Sequence, residues 1–435
     1  MLRTKTYYDL KNTSSFKTKL LKWAQKYCHV LWLDSNNSQD TYGKYKAVLA
    51  AGMHSHIKIT DTTSSFYKLK TYHKNTKDWC FGYLSYDLKN DIESLVSEHE
   101  DALEAPEIYM FQPKKVFLIF ENHVEMQYLK TYEKEINTDF KAIQNINAFS
   151  CHENTCTITP RWSKTAYINQ VETIKRHIAR GNVYEVTCCQ EFFSKGKISP
   201  LETYHRLNAM SSPPMASFIK LKDLYVLSAS PERYLQKKGS RIISQPIKGT
   251  IKRGLNIIED NAFKQQLMTD EKERSENIMI VDLVRNDLSK IAKKGTVKVD
   301  ELCGIYTFKQ VHQMISTISA EVKKNIHPVD IIKATFPMGS MTGAPKLSAM
   351  KLIDMLEITK RGIYSGAVGY FTPDNDFDFS VVIRTILYNA QKKYASFSVG
   401  SAITAKSDPH KEYEECLLKG YAMVKALQAK ISKIE

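Results

Sequence analysis

Lys272-Glu273-Arg274-Ser275-Glu276-Asn277 runs directly into Ile278-Met279-Ile280-Val281-Asp282-Leu283-Val284-Arg285-Asn286-Asp287-Leu288. The composition predicts one helix from Asp270 to Leu288. Glu273 and Glu276 stand at i and i+3 and so share a helical face. Glu412 and Glu415 repeat that arrangement on the last helix, where Asp408 is expected as N-cap and Pro409 at the first helical position. An isolated ExxE on a solvated face is ordinary, because Glu is a good helix former. The first pair keeps different company: an apolar stretch with Asp282, Arg285, Asn286 and Asp287 embedded in it. Four carboxylates from two distant helices suit Mg²⁺, which takes oxygen ligands, keeps several waters and leaves positions for a substrate anion.

Around this segment the pattern is mixed. VLWLDS and YKAVLAAG read as strands, and KKVFLIFENHVEMQYL as a strand pair. Tyr167, Val171, Ile174 and Ile178 recur at helical spacing up to Gly181, and a strand from Val183 to Cys189 follows. Thr342-Gly343-Ala344-Pro345 opens a helix from Leu347 to Leu356. Near residues 145 to 163 the chain turns polar and loses its apolar period, which predicts a boundary between an N-terminal region, 1–150, and a second region, 151–435.

The chain has 435 residues, 43% hydrophobic and 25% charged, the balance of a globular protein with room for two to three domains or one large fold. The longest apolar runs, such as Val116 to Phe120, are far short of the roughly 20 residues that span a bilayer. The first 30 residues lack the apolar core of a secretory signal, and the eight Cys follow no disulfide framework, so a cytoplasmic location is expected. Cys151-His152 and Cys156 lack a fourth ligand at finger spacing. The net charge of +15 raises a second class of function, binding of a nucleic acid or another polyanion. Lys and Arg are interleaved with acids throughout, and no stacking or recognition motif accompanies them, so no nucleic-acid partner is expected.

Several residues are mute taken singly. Lys248, before Gly249 and Thr250, can be an anion partner, a nucleophile or an ordinary surface lysine. Glu232 and Arg384 each have an ordinary reading as well, as a paired carboxylate and an Arg at a strand end. The segment from Gly339 to Lys346 lacks the ending of a nucleotide-binding loop, although amides at a helix start can receive a small anion.

In order along the chain, SPERYL (230–235), PIKGT (246–250), KERSENIMIVDLVRND (272–287), FPMGSMTGAPK (336–346), IYSGAVGYF (363–371), VVIRT (381–385) and DPHKEYEECLLK (408–419) resemble the chorismate-utilising enzymes. That family includes the large subunits of anthranilate and aminodeoxychorismate synthases. The resemblance implies an α+β fold of two facing β-sheets flanked by helices, α/β/β/α, with intertwined halves. It implies Mg²⁺ on Glu276 and Glu415, supported by Glu273 and Glu412. It implies chorismate as substrate, with Arg384, Tyr364 and backbone near Gly400 on the enolpyruvyl carboxylate, Lys419 and the Gly249-Thr250 turn beside it, and Glu232 as general acid with a raised pKa.

By the same resemblance, Lys248 separates branches. Anthranilate, isochorismate and salicylate synthases generally carry Ala there. Lys points to the aminodeoxychorismate branch, in which a neutral amine, its pKa lowered near Mg²⁺, adds to ring carbon 2 before ammonia attacks carbon 4. Water-using members have Lys, and ammonia users Gln, where this chain has Glu185. Two other departures are Gln313, where the family has His, and Ala402, where it has Gly. His312 lies next to Gln313 on a strand and faces the other side, so it is not expected to substitute. Without a GxCxG-like nucleophile elbow, ammonia is expected from a separate glutamine amidotransferase subunit, component II. Release of pyruvate to give 4-aminobenzoate would fall to another enzyme. Leu33-Asp34-Ser35 and Tyr45 resemble the pocket where family members bind tryptophan. The large subunit of anthranilate synthase stays as the alternative within the family.

Overall fold

The computed structural model describes residues 3–38, 41–93, 95–146 and 156–432. The Cys151-His152 pair and the centre of the polar segment near residue 150 lie outside the described residues. One antiparallel sheet passes in order through Thr157–Pro160, Glu185–Lys195, Tyr394–Ile403, Thr385–Asn389, Leu224–Ser230, Met215–Leu221, His29–Asp34, Ala47–Ile59, Ile108–Ile119, His123–Leu129 and Arg3–Asp9. A second branches from the start of Ile108–Ile119. It continues through Cys80–Leu84, Ala367–Phe371, Phe377–Val381, Arg233–Lys238, Arg241–Gln245, Val311–Glu321 and Lys298–Thr307. Strands from before residue 146 thus pair with strands from after residue 156 in both sheets.

The strands of the first sheet are apolar at successive positions because both of their faces are covered. In His29–Asp34, Leu31 enters one core while Val30 and Trp32 enter the other. Val48 and Ala50 alternate in the same way with Ala47, Leu49 and Ala51. The first core also holds Val368, Phe379 and Val381 of the second sheet, so the sheets face each other across it. Helices Thr13–Ala24, Lys164–Ala179, Pro200–Ser211 and Pro409–Ala426 cover the outside of the first sheet. Ser65–Thr76, Glu271–Ser289 and Pro328–Thr335 cover the second. This is the α/β/β/α arrangement expected.

The helices that carry the glutamates begin where the sequence places them. Asp270 accepts from the backbone N–H of Glu273 at 3.0 Å, and Asp408 from that of Lys411 at 2.9 Å, with Pro409 at the first helical position. The helix opened by Pro345 spans Lys346–Leu356. No helix among the described residues is long and apolar enough to cross a membrane. The described cysteines, Cys28, Cys80, Cys156, Cys188, Cys189, Cys303 and Cys416, are all free thiols.

Candidate active site

Lys248 and Gly249 occupy a register shift in the strand Ile247–Lys252, between Ile247 and Thr250, which pair with Ile315 and Gln313. Such an irregularity re-aims the side chains it contains. Asn277, one position past Glu276, donates from Nδ2 to the Lys248 carbonyl at 3.1 Å and ties the bulge to the helix. Lys248 Nζ donates to Glu185 Oε1 at 2.8 Å, and Glu185 has no solvent exposure. Glu185 Oε2 is buried without a hydrogen-bond partner. Burial opposes the Lys248 charge, but Glu185, Glu276 and Glu232 outweigh it and hold its pKa above the usual lysine range. In the protein alone these carboxylate neighbours favour the ammonium, whereas the lowering expected from the sequence is tied to a Mg²⁺ ion nearby.

Glu232 sits just before the strand Arg233–Lys238 and is 4% exposed. Burial pushes its carboxyl up to about 7, against the opposing pull of Ser340, Lys248 and Arg384. Ser340 Oγ donates to Glu232 Oε1 at 2.6 Å. Ser340 belongs to the single turn Gly339–Met341, and the next residues, Gly343–Ala344, pair with Val186 and Glu185. The glycine segment therefore buttresses the acid and the Glu185 strand. Burial lowers the pKa of Arg384, partly offset by Glu232, and the guanidinium has no hydrogen-bond or ion-pair partner among the described residues. A planar donor fork held in that state suits a carboxylate ligand.

The four glutamates come together from the two helices. Glu276 and Glu412 are 7% and 3% exposed, whereas Glu415 is at the surface. Lys272 Nζ lies 3.8 Å from Glu276 Oε1 and 3.8 Å from Glu412 Oε1. Burial pushes Glu276 up to about 7, Lys248 and Lys272 opposing and Glu185 and Glu273 reinforcing. Glu273 is raised by burial and by Glu415. At Glu415 burial works against the charge, but Lys419, 2.6 Å away, prevails and holds the carboxylate below its usual range. Among the described residues no three His, Cys, Asp or Glu side chains form a ready metal cage. The donor set nonetheless fits a hard divalent cation. It is all oxygen, Glu276 Oε1 is buried without a hydrogen-bond partner, and an ammonium already stands between the helices.

The remaining site residues adjoin this cluster. Lys419 Nζ donates to the Gly400 carbonyl at 3.1 Å. A Cβ on Gly400 would lie 3.3 Å from the Tyr364 hydroxyl and 2.6 Å from Cys189 Sγ. Gly249 has φ +99°, and a Cβ there would lie 3.2 Å from Glu273 Oε2, so glycine is what lets that carboxylate approach the Lys248 turn. Thr250 is exposed beside it. Ser340, Asn277 and the buried pair Glu357 and Arg361 carry no chemical signal in the sequence. Arg361 binds Glu357 through Nε at 2.8 Å and Nη2 at 2.6 Å, and also donates to the carbonyls of Met341 and Thr187.

His312 faces away from Gln313: Nε2 donates to Asp260 Oδ1 at 3.0 Å and Nδ1 meets the Thr307 hydroxyl at 3.0 Å, while Gln313 Oε1 is buried without a partner. Ala402 pairs with Thr187. Leu33, Asp34, Ser35 and Tyr45 line a cavity of about 60 Å³ between the sheets, together with Met215 and Tyr370. Asp34 also accepts from Lys17 Nζ of the outer helix Thr13–Ala24 at 2.5 Å.

A sequence model described as chorismate binding enzyme matches residues 28–425. The chain is 33% identical over 425 residues to the chloroplastic aminodeoxychorismate synthase of Arabidopsis thaliana, a match covering 92% of this chain and 45% of that protein. It is 32% identical over 364 residues to aminodeoxychorismate synthase component 1 of Bacillus subtilis (strain 168), covering 80% and 76%. The chain thus spans less than half of the Arabidopsis protein and about three quarters of the Bacillus one. Its fold is similar to the crystal structure of anthranilate synthase component I from Streptococcus pneumoniae TIGR4, with TM-score 0.79, 24% identity, and coverage of 89% of this chain and 93% of that one. The matched span contains every motif from Ser230 to Lys419 and both sheets' shared strands, and the chain belongs to the chorismate binding enzymes.

Proposed function

We propose that the chain converts chorismate and ammonia to 4-amino-4-deoxychorismate. The observation that supports this branch is Lys248, held on a bulge against Glu185 and within electrostatic reach of Glu232 and Glu276. Arg384, with Tyr364 and the backbone near Gly400, would take the enolpyruvyl carboxylate, while Gly249 and Thr250 line the turn beside the ring. Glu232, protonated up to about pH 7, would give its proton to the hydroxyl on ring carbon 4, which leaves as water. Lys248 adds through Nζ to ring carbon 2 as that bond breaks, and the Nζ to Oε1 hydrogen bond offers Glu185 as acceptor for the lysine proton. Ammonia then forms the bond at carbon 4 while Lys248 departs from carbon 2 as an amine and regains its proton. Glu276 and Glu415, supported by Glu273 and Glu412, would hold Mg²⁺, which supplies electrophilic pull on a bound carboxylate.

Ammonia would come from a separate glutamine amidotransferase subunit, and pyruvate release would belong to another enzyme. Incubation with chorismate, Mg²⁺ and ammonium, followed by mass spectrometry of the product, tests the reading: aminodeoxychorismate is expected, and anthranilate or isochorismate as main product refutes it. Lys248→Ala is expected to lose most of that product and any covalent adduct on the intact protein. Wild-type rates in the variant would remove Lys248 from the chemistry.

A further inference from the structure

Lys272 belongs to none of the roles assigned so far, yet it is the cation nearest the buried glutamates of both helices. It lies one residue before Glu273, and its side chain is 39% exposed while those of Glu276 and Glu412 are 9% and 4% exposed. The ammonium reaches down from the rim to within 3.8 Å of one oxygen on each. Glu276 Oε1, the oxygen it approaches, has no hydrogen-bond partner, so the contact is one of charge and leaves that oxygen's lone pairs unused. Burial disfavours the Lys272 charge, but Glu276, Glu412, Glu273 and Glu415 together outweigh burial. No other lysine or arginine among the described residues forms ion pairs with both of these helices.

We propose that Lys272 is a tethered counter-cation for the four-glutamate site, holding the two helices' carboxylates together when no metal is bound and competing with a divalent cation for them. Two buried carboxylates brought near one another from two helices repel unless a positive charge lies between them. A lysine serves because its four-carbon stem can swing the ammonium out to water when a divalent ion arrives. The cost of expelling it sets the metal affinity of the site, and Glu276 Oε1 becomes free to ligate. This inference rests on the reading of Glu276, Glu412, Glu273 and Glu415 as a divalent-cation site.

Binding of Mn²⁺ and Mg²⁺ to the full chain, without substrate, separates the two ideas. Free Mn²⁺ measured by its paramagnetic resonance signal, and displacement by Mg²⁺, give the dissociation constants. Lys272→Met is expected to bind Mn²⁺ at least about tenfold more tightly, because the competing charge is gone. Lys272→Arg keeps the charge and is expected to stay within about threefold of wild type. In chelator, Lys272→Met should melt below wild type, with the loss recovered on adding Mg²⁺, whereas a purely structural role would leave the loss in place. If wild type binds Mn²⁺ and Lys272→Met binds it equally or more weakly, the counter-cation role is refuted and the metal reading stands. If wild type and all variants bind no divalent cation, while Glu276→Gln changes nothing, the metal reading itself fails.

Discussion

Ser340→Ala removes the side-chain hydrogen bond that tempers the Glu232 carboxyl and leaves the one from the backbone of Ile247 in place. Ser340 Oγ donates to Glu232 Oε1 at 2.6 Å with both residues buried, and a donor stabilises the ionised carboxylate over the neutral one. A hydrogen bond to a charged acceptor contributes about 1.5–3 kcal/mol, and one pKa unit is about 1.36 kcal/mol, so removal should raise Glu232 by about one to two units. Starting from about 7, the carboxyl would remain protonated further into alkaline solution. On the proposed role of Glu232 as general acid, which requires its proton, the alkaline limb of kcat/KM should move up by that amount. Stability offers an independent reading. The folded pKa lies above the unfolded value near 4.5, so Glu232 stabilises the fold fully below that value and the contribution is lost as pH rises toward 7. In Ser340→Ala the loss continues to the new pKa, so the variant should be about 1.5–3 kcal/mol further below wild type at alkaline pH than at mildly acid pH. Urea denaturation at the two pH values measures this, and a pH series of kcat/KM measures the limb. A limb that stays within about 0.3 unit of wild type, or moves to acid, would refute the role of this contact in setting the acid's pKa.

Other consequences follow from single contacts. Lys248→Met leaves Glu185 fully buried without its cation and should cost about 3–5 kcal/mol, most of it restored in Glu185→Gln/Lys248→Met; a urea series across the cycle checks both. Gly249→Ala meets φ +99° and a Glu273 oxygen 3.2 Å from the new Cβ, and should lower stability by about 1–3 kcal/mol in thermal denaturation. Arg361→Met strips Glu357 of a bidentate partner and frees the carbonyls of Met341 and Thr187, an expected loss of about 3–5 kcal/mol in chemical denaturation. Asp408→Ala removes the cap of the helix that carries Glu412 and Glu415 and should cost about 1 kcal/mol, read as a small fall in melting temperature.

Information confined to one element was readable along the chain. The i, i+3 glutamates, the cap Asp408, the apolar strands and the ordered motifs need only local periodicity and local chemistry, and these determine where a helix starts and which face a side chain takes. Which groups meet is a different matter. Glu185 and Lys248 are 63 residues apart, and Ser340 and Glu232 are 108 apart. Their contact depends on the bulge between Ile247 and Thr250 and on the pairing of Gly343–Ala344 with Glu185 and Val186. The charge on Lys248 depends on the same placement, because Glu185, Glu276 and Glu232 gather around it from distant parts of the chain and favour the ammonium. Lys272 shows the limit most plainly, because from sequence it is one more cation on a helix. Only the tertiary fold brings Glu412 of Pro409–Ala426 within 3.8 Å of the same Lys272 ammonium that meets Glu276, since electrostatic partnership is set by distance in space and by burial, neither of which a single helix's periodicity contains.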